Sequence, residues 1–153
     1  MLCHLRHNYY YWMHLKKKDN KSNNIFRKKR IISTLNAPTP IGPYNQAVQV
    51  NDTLYISGQI PLKAETMELV EGDIKKETEQ VMENLGYVLD AAEMKFEHVV
   101  KSSIFLSDMD NFGKVNEVYG KYFENDTAPA RETVAVKTLP KNVRVEISMI
   151  AVK

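Results

Sequence analysis

From Val143 to Val152 the chain places Val143, Val145, Ile147, Met149 and Ala151 on one side of an extended backbone, and Arg144, Glu146, Ser148 and Ile150 on the other. That alternation belongs to a strand with one face against a core, so the fold requires a sheet and a second layer to cover it. The covering layer is encoded in Ile74, Thr78, Val81, Leu85, Val88, Leu89 and Ala92, which recur mostly at three- and four-residue steps behind Asp73, a suitable helix cap. Lys75, Lys76, Glu79 and Glu83 fall on the water side of that helix. Gly86 interrupts it at a cost of about 1 kcal/mol, so either close packing compensates or the helix bends.

The remaining segments keep the same alternation of periods. Ile31-Ile32-Ser33-Thr34 reads as a short strand. Asn45 to Val50 and Thr53 to Ser57 form a hairpin around Asn51-Asp52. Lys63 to Gly72 is a polar connection from which Met67 and Leu69 fold back on the body. Val99 to Leu106 is a strand, Phe112, Val115, Val118 and Tyr119 mark a second amphipathic helix, and Glu132 to Lys137 and Val143 to Val152 complete the strands. The order predicts an α+β fold, a two-layer sandwich of a mixed sheet with two helices on one face. Ile104, Val134 and Val136 are expected on the opposite face, which a single small domain does not leave in water, so an oligomer with clefts between subunits is expected.

Charge divides the chain unevenly. Residues 1–30 hold nine Lys and Arg against one acid, a net +8, and residues 31–153 hold twelve against eighteen, a net −6. The first stretch reads as a disordered basic extension and the second as the folded domain. An acidic body opposes stable nucleic-acid binding, which needs clustered cations. Tyr9-Tyr10-Tyr11 beside the lysines of the extension could stack on bases, and the scarcity of acids there also fits an organellar transit peptide. The single cysteine, Cys3, excludes an internal disulfide and a zinc cluster, and suits a cytoplasmic, reducing compartment. No apolar run approaches the length of a membrane span.

Candidate site residues gather near strand ends. Asn36 to Tyr44 carries three prolines and one glycine, a stiff loop that presents Tyr44 either to a ligand or as a loop anchor. Ser57 and Gln59 flank Gly58, where the backbone can bend or approach a ligand closely. Asn116 has three open roles: ligand, neighbouring loop or water. His98 stands alone before a strand and reads as a surface or capping residue. Arg131 follows the Pro129 turn, and Glu146 lies on the mixed face of the last strand. Phosphate loop, dinucleotide fingerprint and metal-ligand spacing are all missing. An arginine and a glutamate with neutral donors can grip a small carboxylate and direct a water. The same pair can equally form an intersubunit salt bridge.

Several short segments, in order, resemble one family. Ala37-Pro38 with Ile41-Gly42-Pro43-Tyr44, Ser57-Gly58-Gln59-Ile60-Pro61, Gly72-Asp73-Ile74, Val115-Asn116-Glu117-Val118-Tyr119, Pro129-Ala130-Arg131, Leu139-Pro140-Lys141 and Val145-Glu146-Ile147 are similar to the motifs of the Rid (YjgF) family of reactive-intermediate deaminases. The resemblance covers about residues 33–153. It implies a chorismate-mutase-like homotrimer with clefts between subunits, hydrolysing 2-aminoacrylate and 2-iminobutanoate to 2-oxo acids and ammonia without cofactor or metal. It further implies that Arg131 holds the substrate carboxylate, that Glu146 activates water, and that Tyr44, Ser57, Gly58, Asn116 and Thr133 line the pocket. A ligand-binding or chaperone-like protein on the same scaffold, or a ribonuclease and translation inhibitor, are the other activities it implies. Four positions depart from the family pattern: Asn45 and Glu132 where Ser or a small residue is common, and Met67 and Asn142 near positions where glycine is usual.

Overall fold

A computed structural model describes residues 29–153. Its elements in chain order are β1 (Lys29–Ile32), β2 (Ala47–Val50), β3 (Thr53–Gln59), α1 (Ile74–Ala91), β4 (Val99–Leu106), α2 (Phe112–Tyr119), β5 (Ala130–Ala135) and β6 (Val145–Val152), with short 3-10 turns between. The expected basic extension, with Cys3 and the tyrosines, lies outside the described residues except for Lys29 and Arg30, which begin β1. Among the described residues, no helix is long and apolar enough to cross a membrane.

The strands form one mixed sheet in the order β1-β2-β3-β6-β4-β5. All neighbours pair antiparallel except β4 and β5, which are parallel and joined through α2. Because β3 and β4 both run antiparallel to β6, they are parallel to one another with the last strand between them. Both helices cover the same face. Leu54, Ile56, Ile104, Leu106, Val145, Ile147 and Met149 of the sheet close on Val81, Leu85, Val88 and Leu89 of α1 and Val115 and Tyr119 of α2.

Local sequence explains the element ends. Asp73 caps α1, its Oδ1 accepting from Lys76 N at 3.0 Å. Gly86 faces Phe96, where an added Cβ would stand 3.4 Å from Cε2, so close packing compensates for the glycine. His98 is a cap, its Nδ1 accepting from Lys95 N at 2.9 Å. Met67 and Asn142, where the family pattern has nearby glycines, both take the left-handed conformation, with φ 57° and 56°.

Two expectations fail on the sheet. Ile104 is buried on the helix face instead of standing on the open one; Phe105 takes the open side, opposite Val134. A register shift between Val99 and Lys101 breaks the alternation, so Ser102, Ile104 and Leu106 face the helices although Val99 does too. Arg144 also leaves the face shared with Glu146. It precedes β6, is not bound by the strand's alternation, and reaches back to α1, where Nε and Nη2 donate to Glu77 Oε1 at 3.0 and 2.5 Å and Nη2 donates to Gly72 O at 2.6 Å. Val134 is on the open face as expected, and Val136 follows the end of β5, half-buried.

Candidate active site

The candidate residues fall into two groups on opposite faces of the sheet. The first lies on the open face around Glu146. Between Ile56 and Gln59 the pairing of β3 with β6 shifts register, and Gly58 sits in that irregularity. A Cβ at Gly58 would overlap the Glu146 carboxyl group, with Cδ only 2.8 Å away, so the missing side chain makes the niche that the carboxylate fills. Glu146 accepts no hydrogen bond from the described residues, and burial alone raises its pKa above the ordinary carboxylate value. With Ile41, Tyr44, Ser57, Ile60 and Pro140 it borders a cavity of about 360 Å³.

Two residues absent from the sequence reading hold that wall in place. The proline-rich loop has few N–H donors of its own, so its carbonyls need donors from elsewhere. Gln46, 2% exposed, supplies them. Its Nε2 donates to the carbonyls of Thr34, Ala37 and Pro38 at 3.0, 3.0 and 2.9 Å, and its Oε1 accepts from Thr34 N at 2.7 Å. Tyr44 is thereby presented at the cavity mouth, 47% exposed. Asn84 of α1 donates to the carbonyls of Ile60 and Leu62 at 3.2 and 2.9 Å and fixes the segment after Gly58. The available signals were an amide just after a proline-rich loop and a polar residue beside the apolar stripe of α1. Ser57 Oγ donates to Asn45 O at 2.7 Å and keeps its lone pairs for a ligand.

The second group lies on the helix side of β5, an edge strand. Arg131 pairs in register with Ser102 of β4 and extends toward α2. Its Nη1 donates to Asn116 Oδ1 at 2.7 Å, an intrachain contact that leaves the Asn116 amide N–H donors for a ligand. The guanidinium carbon stands 5.0 Å from the Tyr119 ring centre and 5.8 Å from that of Phe112. A cavity of about 350 Å³ opens beside it, lined by Asn116, Tyr119, Phe123, Ala128 and Pro129 among others. Thr133 shares this side of β5, its Oγ1 buried without a hydrogen-bond partner. Glu132 points the other way, to Ser103 and Lys101, and leaves the arginine unobstructed.

Chemically, one group offers a guanidinium fork with one of its five N–H donors engaged, matched to a planar carboxylate. The other offers a carboxylate of raised basicity that is occupied by no structural partner. Within the chain the sheet separates them, and no Arg131 to Glu146 ion pair forms. Among the described residues no cluster of His, Cys, Asp and Glu is placed to hold a metal.

The family model described as Endoribonuclease L-PSP matches residues 34–153. A mouse (Mus musculus) protein, 2-iminobutanoate/2-iminopropanoate deaminase, is 48% identical over 125 residues, 82% of this chain and 92% of its own. The crystal structure of a Rid-family protein of unknown function from Yersinia pestis superposes with a TM-score of 0.80 at 46% identity, covering 82% of this chain and all of that one, 100%. E. coli TdcF with bound serine superposes with a TM-score of 0.76 at 36% identity, over 81% of this chain and 98% of its own.

Proposed function

The chain belongs to the Rid (YjgF) family, and on that premise we propose that it hydrolyses reactive 2-enamino and 2-imino acids, such as 2-aminoacrylate and 2-iminobutanoate, to 2-oxo acids and ammonia. The observation that carries this reading is the Glu146 carboxylate, seated in the Gly58 niche with raised basicity and no structural partner. The TdcF relative binds serine, which, like the imino acids, carries its carboxylate and nitrogen on the same carbon.

A protonated imine is electrophilic at C2, so the task is mainly positioning. Arg131 binds the carboxylate through its free N–H edge. Glu146 takes a proton from a water as that water adds to C2, and the C=N electron pair moves to nitrogen. The carbinolamine nitrogen then takes that proton back from Glu146, the C–N bond breaks to release ammonia, and the hydroxyl loses its proton as the carbonyl forms. Tyr44, Ser57 and the backbone at Gly58 and Thr133 border the substrate.

Arg131 and Glu146 act together when Arg131 of one protomer lies beside Glu146 of another. A chorismate-mutase-like homotrimer with open sheet faces inward provides three such clefts. Tyr55 and Val134, 49% and 41% exposed, with half-buried Phe105 and Ile150, form the apolar surface that this packing would cover. Light scattering on the full chain should give about three times the 17.6 kDa protomer mass. The full chain is proposed to act in the cytoplasm; an organellar signal for a fluorescent fusion of residues 1–153, lost on starting at Ile31, would revise this.

The decisive assay generates 2-iminobutanoate or 2-aminoacrylate in situ and follows ammonia or 2-oxo acid. Acceleration over buffer is expected; none would defeat the proposal, and tight 2-oxo acid binding without turnover would point to the ligand-binding alternative. The family model's description raises a ribonuclease reading. The only histidine of residues 29–153, His98, is spent as a cap, which disfavours it. RNA cleavage by a clean preparation, abolished by Glu146→Gln, would reinstate it.

A further inference from the structure

An exposed arginine with a single hydrogen bond can still rotate about that bond, and the fork of Arg131 must meet a carboxylate in one plane. Asn116 supplies the single bond. The guanidinium carbon also lies over the ring of Tyr119, 5.0 Å from its centre, and that ring is itself tied at its far end: its hydroxyl donates to Ser102 Oγ at 3.0 Å. Ser102 is 0% exposed and stands directly opposite Arg131 in the β4 and β5 pairing. The tie therefore closes a ring of contacts, from Arg131 across the strands to Ser102, up to the Tyr119 hydroxyl, and back from the aromatic face to the guanidinium. Phe123 braces Tyr119, with ring centres 4.7 Å apart at 37°. With its guanidinium carbon over the Tyr119 ring and a single N–H bonded to Asn116, Arg131 keeps its other N–H donors for a ligand.

We propose that Tyr119 and Ser102 are positioning residues for Arg131, the ring fixing the plane in which the guanidinium receives a substrate carboxylate and the serine fixing the ring. The proposal rests on the carboxylate-binding role given to Arg131 above. Burial, the largest influence on the phenol, raises its pKa and keeps it a neutral donor to Ser102, outweighing the opposing effects of that bond and of Arg131. Phe112, 39% exposed, completes the aromatic seat at 5.8 Å.

The test compares Tyr119→Leu, Tyr119→Phe, Ser102→Ala and Phe112→Leu in the full chain. Loss of a contact made equally with bound substrate and transition state raises KM and leaves kcat. Tyr119→Leu should raise KM for 2-iminobutanoate and Kd for 2-oxobutanoate about tenfold, with kcat within about twofold of the parent. Tyr119→Phe keeps the ring and should recover most of that loss. Tyr119→Phe, Ser102→Ala and their double variant should show the same small rise, about twofold, because the two groups share one hydrogen bond. Unchanged KM and Kd in Tyr119→Leu, or a loss that only tracks the fraction of folded protein, overturns the proposal. If Tyr119→Leu does not fold, Phe112→Leu and Ser102→Ala carry the same readout, and unchanged constants in both overturn it. The Arg131 Nε–H resonance tests the positioning apart from activity. In the parent it should be shifted by the ring current of Tyr119, and the shift should shrink to the smaller contribution of Phe112 in Tyr119→Leu; an unshifted parent resonance overturns the proposal. A parent that binds no 2-oxobutanoate yet shows the shift instead defeats the deaminase reading alone.

Discussion

Gly58→Ala isolates the niche under Glu146. The backbone at Gly58 is outside the left-handed region, since Gly72 is the only described glycine with positive φ, so alanine meets no backbone strain there. The added methyl would lie 2.8 Å from Glu146 Cδ and 3.0 Å from Cγ, inside any normal contact distance. The obstructing atoms are the end of a flexible side chain, so the carboxylate moves and the sheet stays. Forcing one side chain off its rotamer costs about 0.5–1.5 kcal/mol, a loss of a few degrees in Tm. Turnover is more sensitive, because misplacing a catalytic group by about 1 Å costs on the order of 100-fold. We therefore expect ammonia release from 2-iminobutanoate to fall about 100-fold in Gly58→Ala, while thermal unfolding and 2-oxobutanoate binding change little. Turnover within about threefold of the parent would refute the argument that the niche sets the carboxylate. So would unfolding as severe as that of a core cavity.

Burial raises the pKa of Glu146, so kcat/KM should climb with pH through an apparent pKa above the ordinary carboxylate range, and Glu146→Gln should lower turnover and remove that limb. For stability the sign is the reverse of a salt-bridged carboxylate. The folded chain holds this proton more tightly than the unfolded one, so its contribution is full below the unfolded pKa and lost as pH rises through the folded pKa; thermal scans at pH 4 and 7 should show Glu146→Gln gaining on the parent at the higher pH. Arg131→Ala should lose about 2–5 kcal/mol in kcat/KM, roughly 30-fold or more, while light scattering shows an unchanged oligomer. Arg131→Lys should rescue little, since an ammonium lacks the planar fork. Gln46→Leu strands Thr34 N and three carbonyls, and denaturant unfolding should report a loss of about 3 kcal/mol.

Periodicity disclosed what depends on nearest neighbours along the chain. The Asp73 cap, the apolar stripe of α1, the limits of β4 and the alternation of β6 were all legible, because burial repeats every 2 or 3.6 residues. Ile104 was misplaced because one irregularity after Val99 reverses the phase of a strand, and nothing in Val99-Val100-Lys101 announces it. Arg144 escaped because its partner, Glu77, is 67 residues away. Gln46 and Asn84 were missed for another reason: their acceptors are backbone carbonyls, which carry no side-chain signature. Arg131 and Glu146 were recognisable as chemistry, yet their opposite facing depends on which side of β5 and β6 each occupies, and that follows only from the pairing.

The position of β6 has a consequence for biosynthesis. The last of the described strands to be synthesised lies in the middle of the sheet, between β3 and β4. Until it emerges from the ribosome, the nascent chain holds two unjoined halves, β1 to β3 and the parallel β4 and β5 unit, each with an open edge that invites misassociation. A stop codon a few residues before Val152 would remove rungs at Thr53, Leu54 and Val99 from the centre of the sheet instead of fraying its margin. Such truncations should therefore yield aggregates caught by chaperones, whereas comparable trimming at β1 would be borne by an edge.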